Sequence, residues 1–445
     1  METVISKSKI QMRATPLDWQ CPVVTAKMLS NSHAHMAFLY SGMQTEYSGR
    51  YSYLLWDLDA HVAAETFDAL PPILSEDQGL FDNFWVGYLG YDLKNDLEAL
   101  PEVQNAYLSF PKLSMMRFNR VICFDHQEQK AMLWTRDGLD PLFPEASSFE
   151  CEKIQGIIPD VQFLDSSLSK SEYIASVEQI LEKIKAGDLY QANLTRKSFG
   201  RFEEKPDPFV VFEKLSQVSP APYSSFLKMG GQSILSSSPE QFLKLDSSGG
   251  VSSIPIKGSA PRGTTPEEDD RLRQYLESSA KDQSENLMIV DLMRHDFSKG
   301  SELGSVTVDP MFQVTAYETI HHMSSTIHAK KKESVSTLAF VKNTFPPGSM
   351  TGAPKVMAMK TCSELESLCR GVYSGAIGYF GGDGSLDLSV VIRTLCLEDD
   401  RFEFQVGGGI VAESDPKKEW DETCTKEKGI LKTLALESKS CTIEK

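Results

Sequence analysis

No stretch of this 445-residue sequence approaches the unbroken apolar length that a membrane span needs, and the N-terminus carries no signal-like apolar block. Paired cysteines are missing too. The eight cysteines stand singly, at Cys21, Cys123, Cys151, Cys362, Cys369, Cys396, Cys424 and Cys441, and none forms a C-x-x-C pair. That spacing argues against a zinc site and against a dense disulfide framework. Positive charge is in deficit: 45 Lys and Arg stand against 62 Asp and Glu, a formal net charge of -17. Bulk electrostatics therefore exclude nucleic acid and anionic membrane as expected partners, although an anionic small substrate needs only a local cationic pocket. The expectation is a reduced, soluble, cytoplasmic protein.

What the chain does have is length and an ordinary apolar content of 41%, enough for two lobes or one large intergrown body. Residues 1–160 alternate short aromatic and β-branched runs with turns, as at Met36–Tyr40, Tyr51–Trp56, Phe84–Tyr91 and Arg120–Phe124, which favours strands. A segment richer in Pro, Ser and acid, 137–167, reads as a connection to a second region spanning 168–437. That region opens on a helix with capping-box spacing at Ser169 and Glu172, an apolar stripe through Ile174, Val177, Ile180, Leu181 and Ile184, and Gly187 as its stop.

Candidate chemistry gathers after that helix. Gln191 and Asn193 lie on one face of a strand-like run, where solvated polar side chains are the commoner explanation. Ser238-Pro239-Glu240 sets a carboxylate at a strand end. Lys257, in Pro255-Ile256-Lys257-Gly258, reads at first as a solvated loop residue. A long helix beginning at Pro266 is expected to run on through Glu285 into Leu287–Leu292, an apolar setting unusual for a carboxylate unless it is paired or bound to metal. His321 and His322 are adjacent in a strand-like run and point to opposite faces, so they cannot share an ion.

The Gly348–Lys355 segment fails the spacing of a phosphate loop, although a helix N-terminus at Pro354 would present N–H groups to an anion. Strands are expected at 376–380, 389–397 and 402–406, the first two joined by a Gly381–Gly384 turn. Arg393 falls inside the second of these, where an unpaired guanidinium is costly. A last helix, entered through Asp415 and Pro416, puts Glu419, Glu422 and Lys426 on one face, and a solvated Glu422–Lys426 pair would account for two of them. Carboxylates without Cys or paired His suit Mg²⁺ better than zinc.

These motifs, in this order, resemble the chorismate-utilising enzymes: anthranilate synthase large subunits, aminodeoxychorismate synthase component I, and isochorismate and salicylate synthases. The resemblance rests on Gly187-Asp188 with Gln191, Ser238-Pro239-Glu240, Glu285–Leu292, His322, Gly348–Lys355, Tyr373–Ala376, Val391–Thr394, Gly407–Val411 and Glu419-x-x-Glu422. It implies an α+β fold of two packed antiparallel sheets flanked by helices. It also implies roles. Glu285, Glu419 and Glu422 would hold Mg²⁺ on the ring carboxylate of chorismate, and Glu240 would protonate the departing C4 hydroxyl. Tyr373, Arg393, Lys426 and backbone near Gly408 would hold the substrate carboxylates, and His322 and Ser349 would line the ring pocket. The Ser41 segment is similar to the part of the family that binds tryptophan.

Two positions separate branches of that family. Isochorismate and salicylate synthases place a lysine general base where this chain has Gln191. Anthranilate synthases usually have alanine at Lys257, whereas lysine there marks the aminodeoxychorismate synthases. The resemblance thus implies that chorismate and ammonia give 4-amino-4-deoxychorismate, on the route to 4-aminobenzoate and folate, through a Lys257 adduct at C2. Anthranilate synthase and a non-catalytic chorismate-binding subunit are the alternatives. The chain has no Gly-x-Cys-x-Gly elbow of its own, so a separate glutaminase subunit is the expected source of ammonia. Ser259 and His295 depart from the threonine and asparagine usual in the family.

Overall fold

The computed structural model describes residues 10–44, 48–71, 73–74, 76–141, 156–317 and 320–436. Cys151, Cys441, Glu318, Thr319 and residues 142–155 of the proposed 137–167 connection lie outside those residues.

One antiparallel ladder runs through most of the strands. From Val161–Ser166 it passes through Gln191–Phe202, Arg401–Ile410, Thr394–Glu398, Gln232–Ser238, Tyr223–Met229, His35–Tyr40 and Tyr51–Ala64. The long Leu113–Asp125 strand carries it over to Trp85–Leu89, Ala376–Phe380, Leu386–Val390, Gln241–Leu245, Gly250–Ile254 and Ile327–Lys330. Strands from the first 160 residues thus pair directly with later ones, His35–Tyr40 with Tyr223–Met229 and Trp85–Leu89 with Ala376–Phe380.

Side-chain alternation turns this ladder into two packed layers. Ala37, Leu227, Ile234 and Cys396 from one half meet Val86, Tyr88, Met116 and Ile377 from the other in a shared interior. Their sequence neighbours Phe38, Phe226, Leu235 and Leu395 face the opposite way, onto Phe209, Phe212 and Ile430 of the Pro208–Val218 and Pro416–Thr433 helices. On the far side, Trp85, Leu386 and Leu388 pack under Ile289, Met293 and Phe297 of the Ala280–Gly300 helix and Phe340 of the Thr337–Thr344 helix. Each fully buried Phe or Leu contributes roughly 1.5–3 kcal/mol, so the period-2 alternation fixes the register. The expected α+β architecture of two antiparallel sheets flanked by helices is what forms.

The helix at Lys170–Ala186 begins and ends as its sequence dictates. Ser169 accepts from Glu172 N, the Glu172 side chain returns to the Ser169 backbone, and Gly187 takes φ +83°. The Pro416–Thr433 helix is capped by Asp415, which accepts from Lys417 N and Lys418 N.

Other expectations are corrected. The long helix from Pro266 is two, Pro266–Glu277 and Ala280–Gly300, because Ser279 caps the second by accepting from Asp282 N. The 389–397 strand is broken: Leu386–Val390 and Thr394–Glu398 flank Arg393, which takes φ +49°. Within the 137–167 connection, Val161–Ser166 is a strand on the edge of the ladder. Cys21 and Cys424 are disulfide-bonded, while Cys123, Cys362, Cys369 and Cys396 are free, so the cysteines are not all thiols. Among the described residues, no helix is long and apolar enough to cross a membrane.

A small second sheet stands apart from the ladder. Ile256–Pro261 pairs with Ile320–Ser324, which pairs with Gln313–Ala316. Its own core is modest: Ala260, Leu276 and Met323, with Phe312 and Val314 against them. Lys257 belongs to this sheet, in a strand rather than in the loop its sequence suggests.

Candidate active site

Glu240 occupies the turn between Gln232–Ser238 and Gln241–Leu245, with the rigid Pro239 before it, and is only 4% exposed. Its carboxylate accepts from the Ser349 hydroxyl and from Ile256 N–H, the first residue of the small sheet. Burial raises its pKa to about 7, with Ser349, Lys257, Ile256 and Arg393 opposing the rise. A carboxyl group that is half protonated near neutrality and faces two cations can release a proton during a reaction.

Lys257 faces it from the small sheet. The residue keeps some exposure, but its amine is enclosed, and burial lowers its pKa below the ordinary lysine value. Glu285, Glu240 and Glu422 pull that pKa up again, and Lys426 adds to the lowering. Two glycines make room for this arrangement. Gly258, at φ +87° in a bulge of the strand, comes so near the Ala280–Gly300 helix that a Cβ there would stand 2.9 Å from Cβ and Oδ1 of Asp282. At Gly409 a Cβ would stand 2.5 Å from Nε2 of Gln191 and 3.4 Å from Nζ of Lys257. Gln191, on the Gln191–Phe202 strand, is 1% exposed, and neither of its amide atoms has a hydrogen-bond partner. A buried amide left this way needs a ligand group or water to complete it.

The two histidines divide as their adjacent positions require. His321 turns toward the Pro266–Glu277 helix, its Nε2 2.9 Å from Oδ1 of Asp269. His322 turns inward, where Arg393 Nη2 approaches its Nε2 at 3.4 Å and the Tyr317 ring meets it edge to face at 5.1 Å. The left-handed backbone at Arg393 thus carries its guanidinium out of the strand and toward the pocket. Burial lowers the pKa of Arg393 and raises that of Tyr373, so both cationic and phenolic groups are held with little water.

The three proposed metal carboxylates lie within electrostatic range of one another without closing on one point. Glu419 accepts from Ser414 Oγ at 2.6 Å, and Glu422 pairs with Lys426 at 2.8 Å. Glu285 faces Lys281 at 3.7 Å. Among the described residues no three His, Cys, Asp or Glu side chains meet at liganding separation. Burial raises the pKa of Glu285 and of Glu419; it would raise that of Glu422 too, but Lys426 reverses the direction. Raised carboxylates with only partial compensation are the donor chemistry of a hard divalent cation. At Gly408 a Cβ would stand 3.1 Å from Oε2 of Glu419 and 4.0 Å from Oε1 of Glu422, which puts that backbone beside the acids. Lys426 Nζ donates to Gly407 O at 2.8 Å.

Ser41 is elsewhere. Its hydroxyl donates to Tyr51 O at 2.6 Å and its N–H to Ser52 Oγ at 2.9 Å. It lines a cavity of about 730 Å³ that includes Arg50, Tyr53, Lys244 and Asp387 but neither Lys257 nor Glu240. Burial raises the Asp387 pKa to about 6, and its Oδ1 has no partner.

Sequence reasoning missed four residues that hold others in place: Lys281, Ser414, Tyr317 and Arg370. Lys281 was legible as an i−4 partner of Glu285. Ser414 lies five residues before the Glu419 it meets, while Tyr317 and Arg370 act through partners distant in the chain, Glu240 and Arg393 for the first and Asn193 and Met350 for the second.

The profile of a family described as chorismate binding enzyme matches residues 31–432. Aminodeoxychorismate synthase of Streptomyces griseus is 38% identical over 365 residues, covering 79% of this chain and 50% of that protein. Aminodeoxychorismate synthase component 1 of Escherichia coli is 36% identical over 351 residues, covering 78% of this chain and 76% of that one. The chain therefore spans half of the first relative and three quarters of the second. The solved anthranilate synthase component I from Streptococcus pneumoniae superposes with a TM-score of 0.75 at 25% identity, over 87% of this chain and 93% of that one.

Proposed function

The chain belongs to the family of chorismate-binding enzymes, and we propose that within it the chain is an aminodeoxychorismate synthase component I, converting chorismate and ammonia to 4-amino-4-deoxychorismate. The observation that carries this reading is the enclosed amine of Lys257, set opposite a carboxyl group with a pKa of about 7 and beside the unsatisfied amide of Gln191.

The residues divide the work. Arg393 and Lys426, with backbone N–H groups near Gly408 and the Tyr373 hydroxyl, hold the substrate carboxylates. His322, neutral, and Ser349 border the ring. Glu240 gives its proton to the C4 hydroxyl, so that the C4–O bond breaks with water as the leaving group. The lone pair of neutral Lys257 attacks C2 as C1=C2 shifts to C1=C6 and C5=C6 shifts to C4=C5, giving a covalent adduct. Ammonia then bonds to C4, both double bonds shift back, and the C2–N bond breaks to return the electron pair to Lys257. Burial of the Lys257 amine supports this role, because only the unprotonated form attacks. Glu285, Glu419 and Glu422 would hold Mg²⁺, whose positive charge, when bound, draws electron density toward the ring carboxylate. Gln191 in place of a lysine supports ammonia rather than activated water as the second nucleophile. A separate glutaminase subunit supplies the ammonia, and the Ser41 cavity, with Asp387 and Arg50 in its wall, takes an amino acid such as tryptophan.

Incubating the full chain with chorismate, an ammonium salt and Mg²⁺ tests the reading. The expected product yields 4-aminobenzoate only after a lyase is added. Direct appearance of fluorescent anthranilate sinks the proposal. Mass spectrometry of the quenched enzyme is expected to find a chorismate-derived adduct on the peptide containing Lys257.

A further inference from the structure

Beside the site lies a side chain that the reaction does not touch, yet every donor it has is committed. Arg370, between the Lys355–Leu365 helix and the Ala376–Phe380 strand, is 1% exposed. Nε donates to Glu366 Oε2 at 2.9 Å and Nη2 to Glu366 Oε1 at 2.8 Å, a bidentate pair. Nη2 also donates to Asn193 O at 2.7 Å, and Nη1 to Met350 O at 2.8 Å and to Ser374 Oγ at 3.3 Å. The Tyr91 ring covers the guanidinium at 4.4 Å. All five N–H groups of the planar fork are thus used.

The acceptors belong to three walls of the pocket. Met350 follows Ser349, whose hydroxyl meets Glu240. Asn193 lies two residues beyond Gln191 on the same strand face. Ser374 follows Tyr373 and takes φ +65°. Glu366, held by the arginine, accepts in turn from Thr195 N at 3.0 Å and Thr195 Oγ1 at 2.8 Å, so the same strand is gripped twice. A buried ion pair is no better for stability than a well-packed apolar pair of the same volume. What a guanidinium adds here is direction: three separate backbone segments set to one plane.

We propose that Arg370 is a positioning residue of this site, fixing the Ser349 hydroxyl on Glu240 and keeping Tyr373 and Gln191 in place by holding Met350 O, Ser374 Oγ and Asn193 O together. The inference rests on the reading of Glu240 as the acid. The groups that face Glu240 are Lys257 from the small sheet, Arg393 from the strand break, Tyr317 from the segment before Ile320–Ser324, and Tyr373. Of these only Tyr373 feels Arg370 directly, so an effect of Arg370 on Glu240 must pass through Ser349 or Tyr373.

The test uses the full chain carrying Arg370→Lys, Ser349→Ala, both together, and Glu366→Gln. Lysine keeps the charge but lacks the fork. Three quantities are read: kcat and KM for chorismate across pH, the thermal midpoint, and the infrared band of the protonated Glu240 carboxyl in substrate-free protein, assigned by its loss in Glu240→Gln. Arg370→Lys is expected to lower kcat on the order of 100-fold, as a misplacement of about 1 Å does, with KM changed less than about threefold. It should also move the Glu240 titration upward, as Ser349→Ala does, and add little to Ser349→Ala. Glu366→Gln, which leaves the arginine present and only loosens its orientation, should give the same signature more weakly and stands in if Arg370→Lys does not fold. A lowered thermal midpoint with unchanged kcat and an unmoved Glu240 titration overturns the proposal, as does a loss fully additive with Ser349→Ala. Because the infrared band needs no turnover, an inactive wild-type enzyme would refute the proposed reaction and leave the positioning test intact.

Discussion

Nη2 of Arg393 donates toward Nε2 of His322 across 3.4 Å. Burial first, and this guanidinium second, bring the histidine pKa to about 3. His322 is therefore neutral and accepting wherever the protein is folded near neutrality, and the group of this pocket whose pKa lies near neutrality is the Glu240 carboxyl instead.

His322→Gln should consequently leave the positions of the pH limbs unchanged while lowering kcat/KM. Stability supplies a second readout. The unfolded chain protonates this histidine below about 6.5 whereas the folded chain does not, so His322 lowers stability as pH falls through that value toward 3. Denaturant titrations at several acidic pH values should show a shallower decline for His322→Gln than for wild type.

Glu240 behaves in the opposite sense. Its folded pKa of about 7 exceeds the ordinary 4.5, so the folded state holds the proton more tightly, and this contribution to stability is lost as pH rises from 4.5 through 7. kcat/KM should fall above about pH 7 as the acid loses its proton. Glu240→Gln should remove that stability slope and cost on the order of 10²–10⁴ in rate.

Gly409→Ala separates space from stability. The new methyl group would stand 2.5 Å from Gln191 Nε2 and 3.4 Å from Lys257 Nζ, both ends of side chains that can move. Overpacking of this kind costs about 1–3 kcal/mol in a core, and less where side chains yield. Adduct formation on Lys257, followed by mass spectrometry, should drop far more than the thermal midpoint does.

Ser169→Ala provides the converse. Loss of the capping box should cost about 1 kcal/mol of stability and leave kcat and KM unchanged, because Ser169 serves only the start of its helix.

The fold was legible where the chain speaks locally. The Ser169–Gly187 helix, the Asp415 cap, the Gly381–Gly384 hairpin and the opposed faces of His321 and His322 all follow from spacing alone. The ordered motifs carried the family, since they name positions rather than elements. What could not be read was anything set by a distant partner. Nothing in Val390–Thr394 announces the left-handed residue that aims Arg393. Ser279 is the exception, a local signal left unread, since its side chain caps the second helix by accepting from Asp282 N. Arg370 drew no reading at all: beside the local Glu366 and Ser374, it donates to Asn193 O and Met350 O, which no spacing announces. Lys257 was found, but its placement on a separate sheet was not.

That separate sheet has a consequence for how such a protein can change. The carboxyl group of Glu240 is mounted on the large ladder, while the amine of Lys257 is mounted on three short strands with a small core of their own. The chain passes from one to the other at Pro255 and back again at Ser325, whose N–H donates to Pro255 O at 3.4 Å, and the Ile256 N–H on Glu240 ties the two near the site. On the proposed reaction, substitutions on the minor sheet would retune or delete the nucleophile while the large ladder keeps its packing. Novelty in product can thus be tried on the part of the molecule whose loss costs the least structure.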